Sequence, residues 1–129
     1  MGSTFNQNVI INEELSWGML KYGLCSYFSL AYANKYPSER FLAIIEYDEE
    51  VEKEYLVHFL VVDELNIFVD AEGTYSDWRG SIKDMTDVEF MNLRTKEVDK
   101  SFVMQTIEEE IGFDNAWYKS IEKFVDTMY

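Results

Sequence analysis

The chain holds one cysteine and one histidine, Cys25 and His58, and between them they limit the chemistry it can do. Cys25 follows Gly23-Leu24 where a helix should begin. His58 falls inside an apolar run of strand length, and Asp70 closes the next such run before Ala71-Glu72-Gly73. A thiol, an imidazole and a carboxylate are the types that make a nucleophile, its base and the group that orients the base. A thiol at a helix start meets the positive end of the dipole and unpaired backbone N–H groups, both of which favour negative charge on sulfur. The same N–H groups can receive an oxyanion. Each residue also has an ordinary reading. A single Cys is often a small buried apolar residue, a strand His between Leu56 and Leu60 can be a hydrogen-bonded core residue, and a strand-end Asp commonly serves a turn.

The elements that would carry these residues can be read from the pattern. Asn12 has the character of an N-cap, with Glu13 and Glu14 after it and Leu15, Met19 and Leu20 as a short apolar face. A second helix starts near Cys25, with Cys25, Phe28, Ser29, Tyr32 and Ala33 on one face, and Tyr36-Pro37 ends it. Residues 41–47 (FLAIIEY), 55–62 (YLVHFLVV) and 66–70 (NIFVD) read as strands, the second apolar on both faces and therefore central. Residues 88–93 read as a further strand and 101–111 as a helix stopped by Gly112. Residues 114–129 read as a helix capped by Asp114, with Trp117, Ile121, Phe124, Val125 and Met128 in one stripe.

For His58 and Asp70 to meet, their side chains must leave the same face of the sheet. Faces alternate along a strand, and directly opposed residues share a face. A three-residue turn, Asp63-Glu64-Leu65, opposes His58 to Asp70, whereas an even turn sends Asp70 to the other side. The triad therefore predicts an odd loop, or a bulge, between these strands.

The run GLCSYFSLAYA at 23–33, then FLAIIEY, then His58-Phe59-Leu60-Val61-Val62, then Ile67-Phe68-Val69-Asp70, resembles the core of transglutaminase-like proteins, within the wider papain-like thiol hydrolases. The Asp70-Ala71-Glu72-Gly73 end is also similar to small bacterial and phage proteins with Gly-x-Cys, His and Asp-x-x-Gly in this order. The resemblance spans about residues 17–75, under half of the chain. It implies Cys25 as nucleophile, His58 as general base and acid, and Asp70 as orienter. No Gln stands ahead of Cys25 at the papain-type oxyanion position, and Phe59 stands where many transglutaminase cores have Trp. Oxyanion and substrate-side duties would then fall to the Leu24 backbone, Tyr22 and Trp17.

Composition sets the outer bounds. The 129 residues suit a single domain, with a core over residues 12–75 and a helical cover over 76–129. An aromatic content of 16% argues against a disordered acidic chain. The formal net charge of −14 disfavours direct binding to nucleic acid or to an anionic leaflet. One Cys and one His are too few for a Cys/His zinc site, and neither metal nor cofactor is expected. An unpaired thiol suits a reducing compartment. No stretch reaches the ~20 apolar residues of a membrane span, and the start shows no secretion signal, so a cytoplasmic setting is expected.

The expected architecture is α+β, with the Cys-bearing helix on a small antiparallel sheet and C-terminal helices over the remaining sheet. The expected function is a thiol hydrolase or acyltransferase acting on an amide or ester of a protein or peptide. The alternative is a non-enzymatic acidic inhibitor of phage type, or nucleic-acid mimic, that binds a basic protein surface on a degenerate papain-like scaffold. The acids at 46–54 and Glu108, Glu109 and Glu110 are the basis for that second reading, although a solvated surface is their commoner explanation.

Overall fold

The computed structural model describes residues 10–11, 15–37 except 23, 40–85, 91–110 and 112–129, with Lys21, Tyr22 and Glu110 described in their backbone alone. Two helices come first, α1 (Trp17–Tyr22) and α2 (Cys25–Lys35). The strands β1 (Phe41–Asp48), β2 (Lys53–Val62), β3 (Phe68–Val69) and β4 (Thr74–Tyr75) follow, then a 3₁₀ turn (Trp78–Ile82) and β5 (Leu93–Val98). Helices α3 (Lys100–Glu110) and α4 (Asn115–Met128) complete the order. The architecture is α+β, as expected. The five strands form one antiparallel sheet in the order β4-β3-β2-β1-β5.

The alternation of β1 and β2 divides the core in two. Phe41, Ala43, Ile45, Phe59, Val61 and Val69 join the main cluster with α1, α2, α3 and α4. Ile44 and Leu60 face the other way, against Ile82, with Leu42, Phe68, Trp78 and Leu93 packed around them. The continuous apolar character of both strands thus reflects cover on both sides. The hairpin joining them turns through residues 49–52, where Glu52 takes φ 53°.

Several expectations are corrected. Residues 12–14 and 88–90 lie outside the described residues, so the Asn12 cap and the start of the 88–93 strand do too. The strand in that region is β5, LRTKEV, which pairs along β1 from Phe41↔Val98 to Glu46↔Leu93. It is an edge strand, and its charges are what such an edge tolerates: Lys96 reaches Glu54 at 2.8 Å and the Arg94 guanidinium covers the Tyr47 ring. Leu15 precedes α1 instead of belonging to it. Helix α2 is buried on more than one face, through Cys25 to Ala31 and Ala33, because β2, α1, α3 and α4 all pack against it. Helix α4 therefore covers α2 and not the sheet.

Helix α4 follows its sequence signals closely. Asp114 accepts from Trp117 N–H at 3.0 Å, the N-cap bond. Ile121 and Val125 are buried, while Trp117, Phe124 and Met128 pack half-buried against the core. At its far end Lys35 Nζ donates to the Val125 and Asp126 carbonyls at 3.3 and 3.1 Å, a cation at the negative end of the helix.

Candidate active site

Cys25 is the first residue of α2. Leu24 stands before it in a non-helical conformation, and the N–H groups of the first helical turn have no carbonyl one turn earlier in the helix. Cys25 therefore stands at the positive end of the α2 dipole. The Leu24 N–H is already engaged, because it donates to the Met19 carbonyl. Leu24 is thus a buried link between α1 and α2 and supplies no oxyanion donor. The Cys25 and Ser26 N–H groups open the helix and have no carbonyl one turn earlier within it.

His58 lies on β2 opposite Ile44. Ile45 pairs with Leu56, so Val57 is an extra residue that bulges the strand immediately before the histidine. Such a bulge sharpens the local twist and re-aims the adjoining side chain. The connection from β2 to β3 is odd, as the triad requires, but longer than three residues. Val62 pairs with Phe68, which leaves the five residues 63–67 as the loop. Continued by two residues, that register sets Asp70 across from Leu60, on the parity of His58. The loop is organised by Asp63, whose Oδ1 accepts from the N–H groups of Leu65 and Ile67 at 2.8 and 3.0 Å. Asn66 there adopts φ 60°, which asparagine tolerates better than most residues.

The triad residues come together. His58 Nε2 lies 2.9 Å from Asp70 Oδ2, and Cys25 lies near enough to the imidazole to raise its pKa. With Nε2 engaged by the carboxylate, Nδ1 is the ring nitrogen left for sulfur. Asp70 is itself fixed: its Oδ1 accepts from the N–H groups of Glu72 and Gly73 at 2.9 and 3.2 Å and from Tyr75 Oη at 3.2 Å. Burial pulls the His58 pKa down. The hydrogen bonds to Asp70 and Cys25, with the charges of both, outweigh that pull and raise it to about 9. The ring is therefore held as imidazolium at neutral pH, the form that favours negative charge on an adjacent sulfur. Cys25 is 7% exposed, His58 3% and Asp70 1%, so the three groups meet in an enclosed space.

The other expected site residues fare differently. Trp17 is buried, and its Nε1 donates to the Ala71 carbonyl at 2.9 Å, tying α1 to the turn after Asp70 instead of facing a substrate. The Tyr22 side chain lies outside what the structure describes. Two residues in the site were not foreseen. Tyr75 was reachable, since the Asp-x-x-Gly spacing reverses the chain and β4 pairs Tyr75 with Phe68. Tyr129 was not: its hydroxyl donates to the Ala71 carbonyl across 58 positions of sequence. Burial pushes the Tyr129 phenol up to about 12, with a hydrogen bond from Trp17 opposing and the charges of Asp70 and Tyr32 adding.

No family model, curated protein or solved structure matches this chain. Among the described residues, no group of three or more His, Cys, Asp and Glu side chains is placed to hold a metal ion. No described helix is long and apolar enough to cross a membrane.

Proposed function

We propose that the chain is a small thiol hydrolase or acyltransferase that works on an amide or ester through Cys25, His58 and Asp70, on a papain-like, transglutaminase-like arrangement. The observation that carries this reading is the buried imidazole 2.9 Å from the Asp70 carboxylate, with Cys25, at the start of α2, near enough to raise its pKa. In the reaction, Cys25 sulfur attacks the acyl carbon as the thiolate of the ion pair, its proton already resting on the His58 imidazolium. The carbonyl oxygen takes up the electron pair as an oxyanion beside the first-turn N–H groups of α2. The tetrahedral adduct collapses to a thioester and expels the amine or alcohol, which receives its proton from His58. Water, or an acceptor amine, then attacks the thioester with His58 as base and frees the sulfur. Asp70 stays ionised throughout and holds the ring by Nε2. A free thiol suits a reducing compartment, so the cytoplasm is the proposed setting.

The deciding experiment is covalent capture. An activated acyl ester should acylate the wild-type chain at Cys25, seen as a mass increment that decays as the thioester hydrolyses. Cys25→Ala should fold and take no label. Equal labelling of the two proteins would remove the support.

A second reading rests on the hairpin tip, where Glu49, Glu50, Glu52 and Glu54 are exposed together. On that reading the protein is an acidic inhibitor that docks on a basic protein surface. Its binding would weaken steeply with salt and would be indifferent to Cys25→Ala.

A further inference from the structure

The enclosed triad raises the question of how an acyl group reaches sulfur, and the residue that follows α4 answers it. The Tyr129 ring packs edge-on to Phe28, centroids 5.5 Å apart, and against Tyr32 at 6.2 Å. Phe28 and Tyr32 lie three and seven positions after Cys25, on the same face of α2. The Tyr129 hydroxyl reaches the carbonyl of Ala71, the neighbour of Asp70, and Trp17 Nε1 donates to that same carbonyl. Tyr129 thus bridges the helix that carries the nucleophile and the turn that carries the orienter.

We infer that Tyr129 is a latch that closes the Cys25 site and must lift with the last turn of α4 before a substrate enters. The fastenings of that turn suit a local release. They include the Tyr129–Ala71 bond, a bond from Tyr36 Oη to the Tyr129 main-chain oxygen, and the two Lys35 bonds to the Val125 and Asp126 carbonyls. Apart from Val125, which stays buried under α2, the last turn holds partly exposed groups, and helix ends held this way open at far lower cost than the core. Lifting Tyr129 bares the α2 face from Cys25 to Tyr32 and leaves β1 and β2 intact. The inference takes its biological sense from the proposed hydrolase reading, but its test does not depend on turnover.

The test is the alkylation rate of Cys25, the only cysteine, by iodoacetamide, followed by intact mass on the full chain. Tyr129→Ala should react about tenfold faster than wild type, the scale set by one hydrogen bond and a ring edge that no longer oppose opening. Tyr129→Phe keeps the ring, loses the bond to Ala71, and should react about threefold faster. In both variants the rate should depend weakly on low urea, because a local opening exposes little surface. A wild-type rate in Tyr129→Ala overturns the latch. So does a rate that climbs with urea as steeply as global unfolding. If alkylation accelerates but acyl ester is never turned over, the latch stands and the hydrolase reading falls. If Tyr129→Ala is alkylated at the wild-type rate while acyl ester is still turned over, the latch falls and the hydrolase reading stands.

Discussion

Replacing Asp70 by Asn should move the titration of His58, and the chain offers a clean way to watch it. His58 is the only histidine, so its imidazole Cε1–H gives one NMR signal without assignment by mutation. In the wild type, burial works against the charged ring, and Asp70 and Cys25 more than reverse that effect, lifting the pKa from 6.5 to about 9. That difference corresponds to about 3 kcal/mol in favour of the imidazolium. Asp70 supplies the largest single favourable contribution, its 2.9 Å hydrogen bond to the ring. Asn removes the charge and keeps the shape. Burial then meets only the Cys25 contribution, and the midpoint should fall by about two pH units. The amide also presents an N–H to Nε2, which drives the ring proton to Nδ1 and blocks acceptance of a proton from sulfur. The expected result is a lowered midpoint together with loss of acyl capture. A midpoint unchanged in Asp70→Asn, or a wild-type midpoint near 6.5, would refute the ion-pair account.

Two further outcomes follow from the same structure. Because the folded His58 pKa lies above its ordinary value, its contribution to stability is complete below pH about 6.5 and is lost as pH climbs through about 9. Urea unfolding of wild type and His58→Gln should show a stability gap that narrows over that window, and a constant gap would contradict the sign. Gly112 takes φ 73° after α3, where its N–H closes the helix on the Ile107 carbonyl at 2.9 Å. Gly112→Ala should cost about 1 kcal/mol, read as a lower urea midpoint at an unchanged slope.

The parts of the fold that could be read from the sequence are those whose signals are local. Asp114 with its apolar stripe announces α4, and FLAIIEY and YLVHFLVV announce a covered hairpin. The stripe on α4 shows that a face is buried but not against what, and so its packing on α2 was not foreseen. Strand β5 escaped because LRTKEV has half of its residues charged, and its strand character comes from pairing with β1. β3 shrank to Phe68–Val69 because Asp63 gathers residues 63–67 into a loop through side-chain bonds that no periodicity reports. The site divides along the same line. Cys25, His58 and Asp70 stand out because two of the three types occur once, and loop parity could be tested by counting. Tyr129 comes from the far end of the chain, and only the packing of α4 on α2 brings it to Ala71.

Asp70 joins two roles that sequence reading sets against each other, turn residue and orienter. Its two oxygens divide the work. Oδ1 takes the Glu72 and Gly73 N–H groups and Tyr75 Oη, while Oδ2 takes only His58. The turn therefore holds the carboxylate in place whether or not the ring is charged, and the ring is oriented by a group it does not itself have to fix. The two roles separate experimentally. Asp70→Ala removes the side-chain acceptor of the turn, although Gly73 N–H keeps the Asp70 main-chain carbonyl, and leaves a buried imidazole without its counter-charge, so it should lose about 3 kcal/mol or more of stability. Asp70→Asn keeps an acceptor for the turn and should lose roughly 1 kcal/mol. Acyl capture should vanish in both, because each removes the charge that holds His58 by Nε2. If capture instead tracked stability, surviving in Asp70→Asn and failing only in Asp70→Ala, the carboxylate would be a turn residue alone. Its nearness to His58 would then have no chemical part to play.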